Sequence, residues 1–261
     1  TPRSGFNFAA SEKFVLYTSA GHGFSLPSPE ETLLPAGDVN TNIEPEQGMQ
    51  FELGTRLNFF DKAFEIDAAL YWIELNNLLV TKRISEDIFT GINAGKTRHQ
   101  GFELLLKNRV FSFSSFPGGL NSTFSYTFSK NSFVDFVDDG NIYNGNDLPG
   151  IPDQYTQLQL SWYPLKTLEV FTHLQYTGDQ YLNDANSLNY EGYFLIDAKV
   201  ATHFPVKKLG TCNIYVGINN LTNTHYASML VVNAIGFGNS EPRYYYPGLP
   251  RHIYAGIKFD F

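Results

Sequence analysis

Apolar and polar side chains alternate with a period of two along almost the whole chain. In the last segment Ile253, Ala255, Ile257, Phe259 and Phe261 hold one parity, and His252, Tyr254, Gly256, Lys258 and Asp260 hold the other. Just upstream, Cys212, Ile214, Val216 and Ile218 oppose Asn213, Tyr215, Gly217 and Asn219. The same contrast sets Phe64, Ile66, Ala68, Leu70 and Trp72 against Glu65 and Asp67, and Phe51, Leu53, Leu57 and Phe59 against Glu52, Arg56 and Asn58. It recurs at Phe102, Leu104 and Leu106 against Glu103 and Lys107, and at Leu120, Phe124, Tyr126 and Phe128 against Asn121, Thr123, Ser125 and Thr127. Including segments near 4–10, 12–19, 155–162, 167–177 and 194–201, the pattern predicts about eleven strands and no amphipathic helix.

Alternation alone also fits a soluble sandwich. The connections separate the two. Tight joins near 9–12, 60–63, 111–118, 163–166 and 205–210 take turns with long ones near 20–48, 82–98, 130–152, 178–192 and 221–250. Loops beyond about 12–15 residues are uncommon in compact domains. Long loops confined to one end of an up-and-down sheet are the habit of outer-membrane barrels, which keep short turns on the periplasmic side. The fold class expected is therefore all-β: an antiparallel up-and-down transmembrane β-barrel, with roughly 10–11 strands present. Barrels show lipid only every second residue, so the lack of an apolar run of about 18 residues does not count against a membrane.

Orientation follows. The last strand descends to the periplasm, so 221–250 lies outside, and counting back makes the first strand descend as well. About eleven strands are half of the plugged 22-stranded class. The expectation is that further strands and a plug lie upstream, since an edge exposed to lipid is not tolerated.

Composition adds exclusions. The 261 residues are 43% hydrophobic and 16% aromatic, with 23 Phe and 16 Tyr, and the formal charge is −8. That sign argues against a nucleic-acid partner. The one cysteine, Cys212, cannot pair internally. Six scattered histidines form no metal spacing. An oxygen-rich stretch, Asp135 to Asn141 with Asn144, Asn146 and Asp147, has a hard-cation character. Its spacing departs from a Ca²⁺ loop, and a solvated loop explains it as well. His173, Asp197 and His203 share the polar parity, but His203 sits near the periplasmic end, away from Asp197. No Gly-x-Ser-x-Gly elbow is present, so no catalytic residue, metal or cofactor is assigned. Near the outer end, Arg98, His225, Phe237, Arg243, Tyr244 and Tyr245 have the aromatic and guanidinium character that suits an anionic, partly apolar ligand.

Four stretches resemble the TonB-dependent outer-membrane receptor family, with the ferric-dicitrate and siderophore type closest in motif. They are Pro45 through Arg56, Asn93 through Glu103, Asn219-Asn220-Leu221-Thr222-Asn223 with Tyr226, and Tyr246-Pro247-Gly248-Leu249-Pro250-Arg251 running on to Phe261. The resemblance covers essentially the whole chain, as the C-terminal portion of the barrel domain. It implies outer-membrane localisation and uptake of a scarce nutrient such as a ferric chelate, energised by the TonB complex through a plug. It also implies that Phe261 is a signal to the barrel-assembly machinery. The competing reading is a passive porin or structural barrel, which would keep an open lumen. Gly54, Gly101, Gly217 and Gly256 read as strand-twist or close-packing positions. Glu52 and Glu103 read as lumen residues.

Overall fold

The computed structural model describes residues 1–33, 37–85, 88–93, 95–111, 118–138, 140–207, 210–236 and 240–260. The strands run in chain order β1 (Arg3–Ser11), β2 (Phe14–Ser25), β3 (Glu46–Phe59), β4 (Phe64–Asn76), β5 (Leu79–Ser85), β6 (Ile88–Asn93), β7 (Lys96–Phe111), β8 (Gly119–Asp135), β9 (Val137–Asp138) and β10 (Asn141–Ile142). They continue as β11 (Gln154–Leu165), β12 (Leu168–Thr177), β13 (Gln180–Tyr181), β14 (Asn189–Tyr190), β15 (Tyr193–Val206), β16 (Gly210–Asn219), β17 (Ala227–Leu230), β18 (Tyr245–Pro247) and β19 (His252–Asp260). One helical turn, α1 (Pro29–Thr32), interrupts the first long loop.

Eleven strands form one antiparallel sheet in the order β1-β2-β3-β4-β7-β8-β11-β12-β15-β16-β19. Each strand pairs with its neighbour in sequence once the small hairpins β5–β6, β9–β10, β13–β14 and β17–β18 are set aside. This is the predicted up-and-down meander. It is open, with β1 and β19 at its edges.

The register confirms the two-parity reading. Leu53 faces Thr18 and Leu70 across its two interfaces, and Leu70 faces Phe102, all on one surface of the sheet. That surface is apolar and open: Ile253 is 74% exposed, Ile257 66% and Phe51 52%. A water-facing sheet could not leave so continuous an apolar surface uncovered; hydrocarbon is the environment it matches. Trp72 stands toward the long-loop end of β4 and Trp162 toward the short-turn end of β11. Both have outward parity, as the aromatic girdles at two interfaces require.

Among the described residues the packed core lies above the membrane. Phe133 and Phe136 are buried with ring centroids 4.3 Å apart, and Leu78, Ile92, Tyr143 and Leu148 close around them. In lipid the outward side chains already have an apolar solvent, whereas loops in water must bury theirs.

Several boundaries differ from the expectation. The second strand runs to Ser25 rather than about 19, and the first turn is at Glu12 and Lys13. β7 begins at Lys96 and β8 ends at Asp135, so both invade stretches expected as loop. They have 16 and 17 residues, whereas a barrel strand crosses hydrocarbon with about 9–11. The surplus projects above the membrane, where side chains turn polar while the backbone ladder continues. Most of the short join expected at 111–118 lies outside the described residues. The join at 60–63 stands where expected and holds three non-glycine left-handed residues, Phe60, Asp61 and Lys62.

Candidate binding site at the extracellular mouth

Five long loops stand on one end of the sheet, and polar bonds tie them in two sets that the Phe133–Phe136 core, with Leu78 and Ile92 packed on it, joins. The first two meet through asparagines: Asn40 Nδ2 donates to the Gly91 carbonyl at 3.3 Å, and Asn93 Nδ2 donates to the carbonyls of Glu44 and Asn77 at 2.8 and 2.9 Å. The other three form a second wall. Asn186 Oδ1 accepts from Asp147 N at 2.7 Å while its Nδ2 donates to Asp147 O at 2.8 Å. Asn233 Oδ1 accepts from Asp184 N at 3.1 Å and its Nδ2 donates to Asp184 Oδ2 at 3.0 Å. Asn186 and Asn233 have φ of 53° and 51°. Asparagine tolerates that left-handed turn and keeps both a donor and an acceptor for the next loop.

The second wall carries a tyrosine cluster. Tyr190 lies 6.2 Å from both Tyr193 and Tyr245, and Tyr193 lies 5.2 Å from Tyr226, centroid to centroid. The Tyr190 hydroxyl accepts from Ala227 N at 2.6 Å, tying the fourth loop to the fifth. Burial raises the Tyr190 phenol above its ordinary range, so it stays protonated. Beneath the cluster is a recess of about 540 Å³. Its floor is Tyr155, Gln175, Thr177 and Tyr193, and its rim includes Pro149, Met229 and Val232. Tyr155, Gln175, Thr177 and Tyr193 have the inward parity of β11, β12 and β15, so the recess opens toward the lumen.

The expected site residues fall in different places. Tyr245 joins the cluster and pairs with Leu230 in the β17–β18 hairpin; Tyr244 accepts through its carbonyl from Val231 N at 2.7 Å. His225 and Arg243 are exposed on the fifth loop, and Phe237 lies outside the described residues. Arg98 stands apart. It lies in β7, not in a loop, and its parity is that of Phe102 and Leu104, so it faces outward. Its guanidinium sits 4.7 Å over the Trp72 ring and bonds Glu74 Oε1 at 2.6 Å, with Lys96 on Glu74 Oε2 at 2.8 Å. This is a charged collar above the aromatic belt. Sequence reasoning missed Tyr155, Gln175, Tyr190 and Tyr193 because they are distributed over three strands and a loop. The available signal was inward parity at the upper ends of adjacent strands.

Below the mouth the lumen wall is polar. Asp67 accepts from Arg56 Nε at 3.0 Å and from the Tyr17 hydroxyl at 3.2 Å. Glu169 accepts from Ser161 and Tyr163. His173 Nδ1 lies 3.6 Å from Asp197 Oδ2, directly across the β12–β15 pair, while His203 faces Asn213. Asp197 Oδ1 accepts from Asn220 N at 2.8 Å, which anchors the fifth loop at its root. The oxygen-rich loop spends its groups on neighbouring protein atoms: Asn144 Oδ1 accepts from Phe136 N at 2.8 Å, Asn146 Nδ2 donates to the Asp184 carbonyl at 2.7 Å, and Asp147 pairs with Lys130. Among the described residues no three His, Cys, Asp or Glu side chains come together as a metal site would require. Phe261 lies outside the described residues.

A strictly sequential antiparallel meander, with a bare apolar outside, a polar inside and long loops at one end, defines an outer-membrane β-barrel. Comparison with known proteins gives the family. A profile described as TonB dependent receptor-like, beta-barrel matches residues 1–221. The probable TonB-dependent siderophore receptor PiuA of Acinetobacter baumannii is 28% identical over 236 residues, 87% of this chain and 30% of that protein. The ferrichrome outer membrane transporter/phage receptor of Escherichia coli is 25% identical over 233 residues, 87% of this chain and 29% of that protein. Among solved structures, the siderophore receptor PiuA from Acinetobacter baumannii superposes with a TM-score of 0.74 at 23% identity, covering 98% of this chain and 35% of that one. The ferric citrate transporter FecA, unliganded, gives 0.75 at 20% identity, covering 97% of this chain and 37% of that one. The chain belongs to the TonB-dependent receptor family, a family of outer-membrane receptors, and spans about a third of the length of these relatives.

Proposed function

We propose that this chain is the C-terminal part of the barrel domain of a receptor that imports a ferric chelate, a siderophore complex or ferric citrate. The observation that carries this is the tyrosine-walled recess, open to a polar lumen and framed by interlocked loops. Aromatic walls hold a chelate's organic shell by contact area, and phenol hydroxyls direct hydrogen bonds to its oxygens. Ligand contact falls to Tyr155, Tyr193 and Met229, with Tyr245, Tyr244, His225 and Arg243 meeting it first on the loop above. Release into the periplasm is driven by the TonB complex acting on a plug domain. The chelate is cargo, and the protein works as a transporter rather than an enzyme. The barrel-assembly machinery inserts it, reading Phe261.

The test is growth of a deletion strain, complemented with the full-length gene, on a panel of ferric chelates as sole iron source. At least one chelate should require the gene, and its uptake should stop when the inner-membrane TonB partner is deleted. Uptake that persists without that partner would make the protein a passive pore.

A further inference from the structure

We propose that the rim of short turns, at the end of the barrel opposite the recess, binds anionic phospholipid of the periplasmic leaflet. This surface lies on the barrel wall and is the same whatever cargo the receptor carries. In the turns that join β1–β2, β3–β4, β11–β12 and β15–β16, an exposed lysine stands beside an exposed bulky apolar side chain. Lys13 is next to Phe14, Lys62 is two residues from Phe60, Lys166 is next to Leu165, and Lys207 is three residues from Phe204. Phe14 and Phe204 lie on the lipid-facing parity of β2 and β15. Phe60 and Leu165, 74% and 62% exposed, project at the turns themselves. A lysine so placed lays its aliphatic stem along the edge of the hydrocarbon and holds its ammonium at the level of the headgroup phosphates. The β3–β4 turn keeps this arrangement against a backbone cost. Phe60, Asp61 and Lys62 have φ of 51°, 54° and 67°. Glycine would take those angles freely, but it would remove both the aromatic ring and the ammonium from the tip.

The charge of the rim runs against that of the whole chain, which is −8. Acidic side chains gather at the long-loop end instead, Glu44, Asp138, Asp147, Asp179, Asp184 and Glu191 among them. Along the sheet, Arg56, Lys96, Arg98, Arg109, Lys130 and Lys199 each meet a carboxylate. Among the described residues Lys13, Lys62, Lys166 and Lys207 form no ion pair, so their countercharge has to come from outside the chain. Glu12 and Asp61 share two of these turns, which leaves the described rim net positive. An anionic headgroup layer supplies the opposite sign at this height, while the neighbouring Phe and Leu side chains enter the acyl region below it.

The test uses purified full-length receptor in a nonionic detergent, given dimyristoyl phosphatidylglycerol or dimyristoyl phosphatidylethanolamine, with retained lipid counted by native mass spectrometry. The wild type should retain the anionic lipid at least about tenfold over the zwitterionic one. The combined Lys13→Gln, Lys62→Gln, Lys166→Gln and Lys207→Gln variant should lose at least about fivefold of that preference, the scale of a single lysine at an anionic surface. Arginine at the same four positions should keep the preference, and Lys96→Gln at the opposite end of the barrel should leave it unchanged. If the fourfold glutamine variant fails to assemble, the pair Lys13→Gln with Lys62→Gln and the pair Lys166→Gln with Lys207→Gln should each lose at least about twofold. Equal retention of the two lipids by the wild type, or a preference that survives in the glutamine variants, would overturn the proposal. So would wild-type protein that shows no lipid preference but sediments with purified peptidoglycan through these lysines, which would give the rim to the cell wall instead.

Discussion

Substituting Gly54 by alanine tests how the lumen wall is held together. Gly54 faces Tyr17 directly across the β2–β3 pair, and the Tyr17 ring lies flat over it, so a methyl group there would overlap the ring. The ring would have to swing away. It would give up its hydroxyl bond to Asp67 Oδ1 at 3.2 Å and its place 4.7 Å beneath the Arg56 guanidinium. Overpacking of this kind costs about 1–3 kcal/mol. The hydrogen bond adds about 1 kcal/mol, and the cation–π contact, with Arg56 largely exposed, about 0.5 kcal/mol. Alanine returns about 0.5–1 kcal/mol through its lower backbone entropy in a strand. The net expectation is a loss of about 1.5–4 kcal/mol, read as a lower urea midpoint for unfolding of the full-length receptor in lipid vesicles. The cycle is the sharper measurement. In the Tyr17→Ala background the ring is gone, so Gly54→Ala should cost nothing or stabilise slightly, leaving a coupling of at least about 1.5 kcal/mol. Single costs that add to within about 0.5 kcal/mol would refute the idea that Tyr17 covers Gly54.

Other consequences follow from the same geometry. Leu53→Arg puts a charge on the lipid face and should destabilise the folded barrel by up to about 2–4 kcal/mol, whereas Thr127→Arg, lumenal and opposite Glu103, should change the midpoint by less than about 1 kcal/mol. Asn186→Ala removes two bonds to Asp147 and leaves a left-handed alanine, an expected cost of about 2–3 kcal/mol confined to the loops. Amide protection around 146–150 and 182–188 should fall at least tenfold, with strand protection unchanged. Burial raises the Asp184 carboxyl above its ordinary value, opposed by the Asn233 bond and reinforced by Asp138. A raised carboxyl binds its proton more tightly in the folded loop, so the penalty is full at neutral pH and fades as pH falls through the raised value. Protection of the 182–188 amides, corrected for intrinsic exchange, should therefore rise on mild acidification in the wild type and stay level in Asp184→Asn.

Much of this architecture was legible in the residues themselves. Period-two alternation fixes which side chains share a face, because successive side chains of a strand point opposite ways whatever the strand pairs with. Long and short connections fixed the meander and its polarity, since a tight turn can only join antiparallel neighbours. The upper ends of β7 and β8 were not legible. Above the hydrocarbon, outward residues become polar, as Lys96, Arg98 and Lys130 do, and the alternation that betrays a strand fades while its hydrogen bonds persist. The glycines show the same boundary. Gly54, Gly101, Gly217 and Gly256 could be marked as close-packing positions from the sequence. That Tyr17, Tyr71, Tyr254 and Tyr215 are the groups packed over them depended on register. The recess at the mouth depended on register too. Tyr155, Gln175 and Tyr193 are far apart in sequence and meet because three strand ends reach the same height. Local pattern determines which way a side chain points, but only the pairing of strands determines whom it meets.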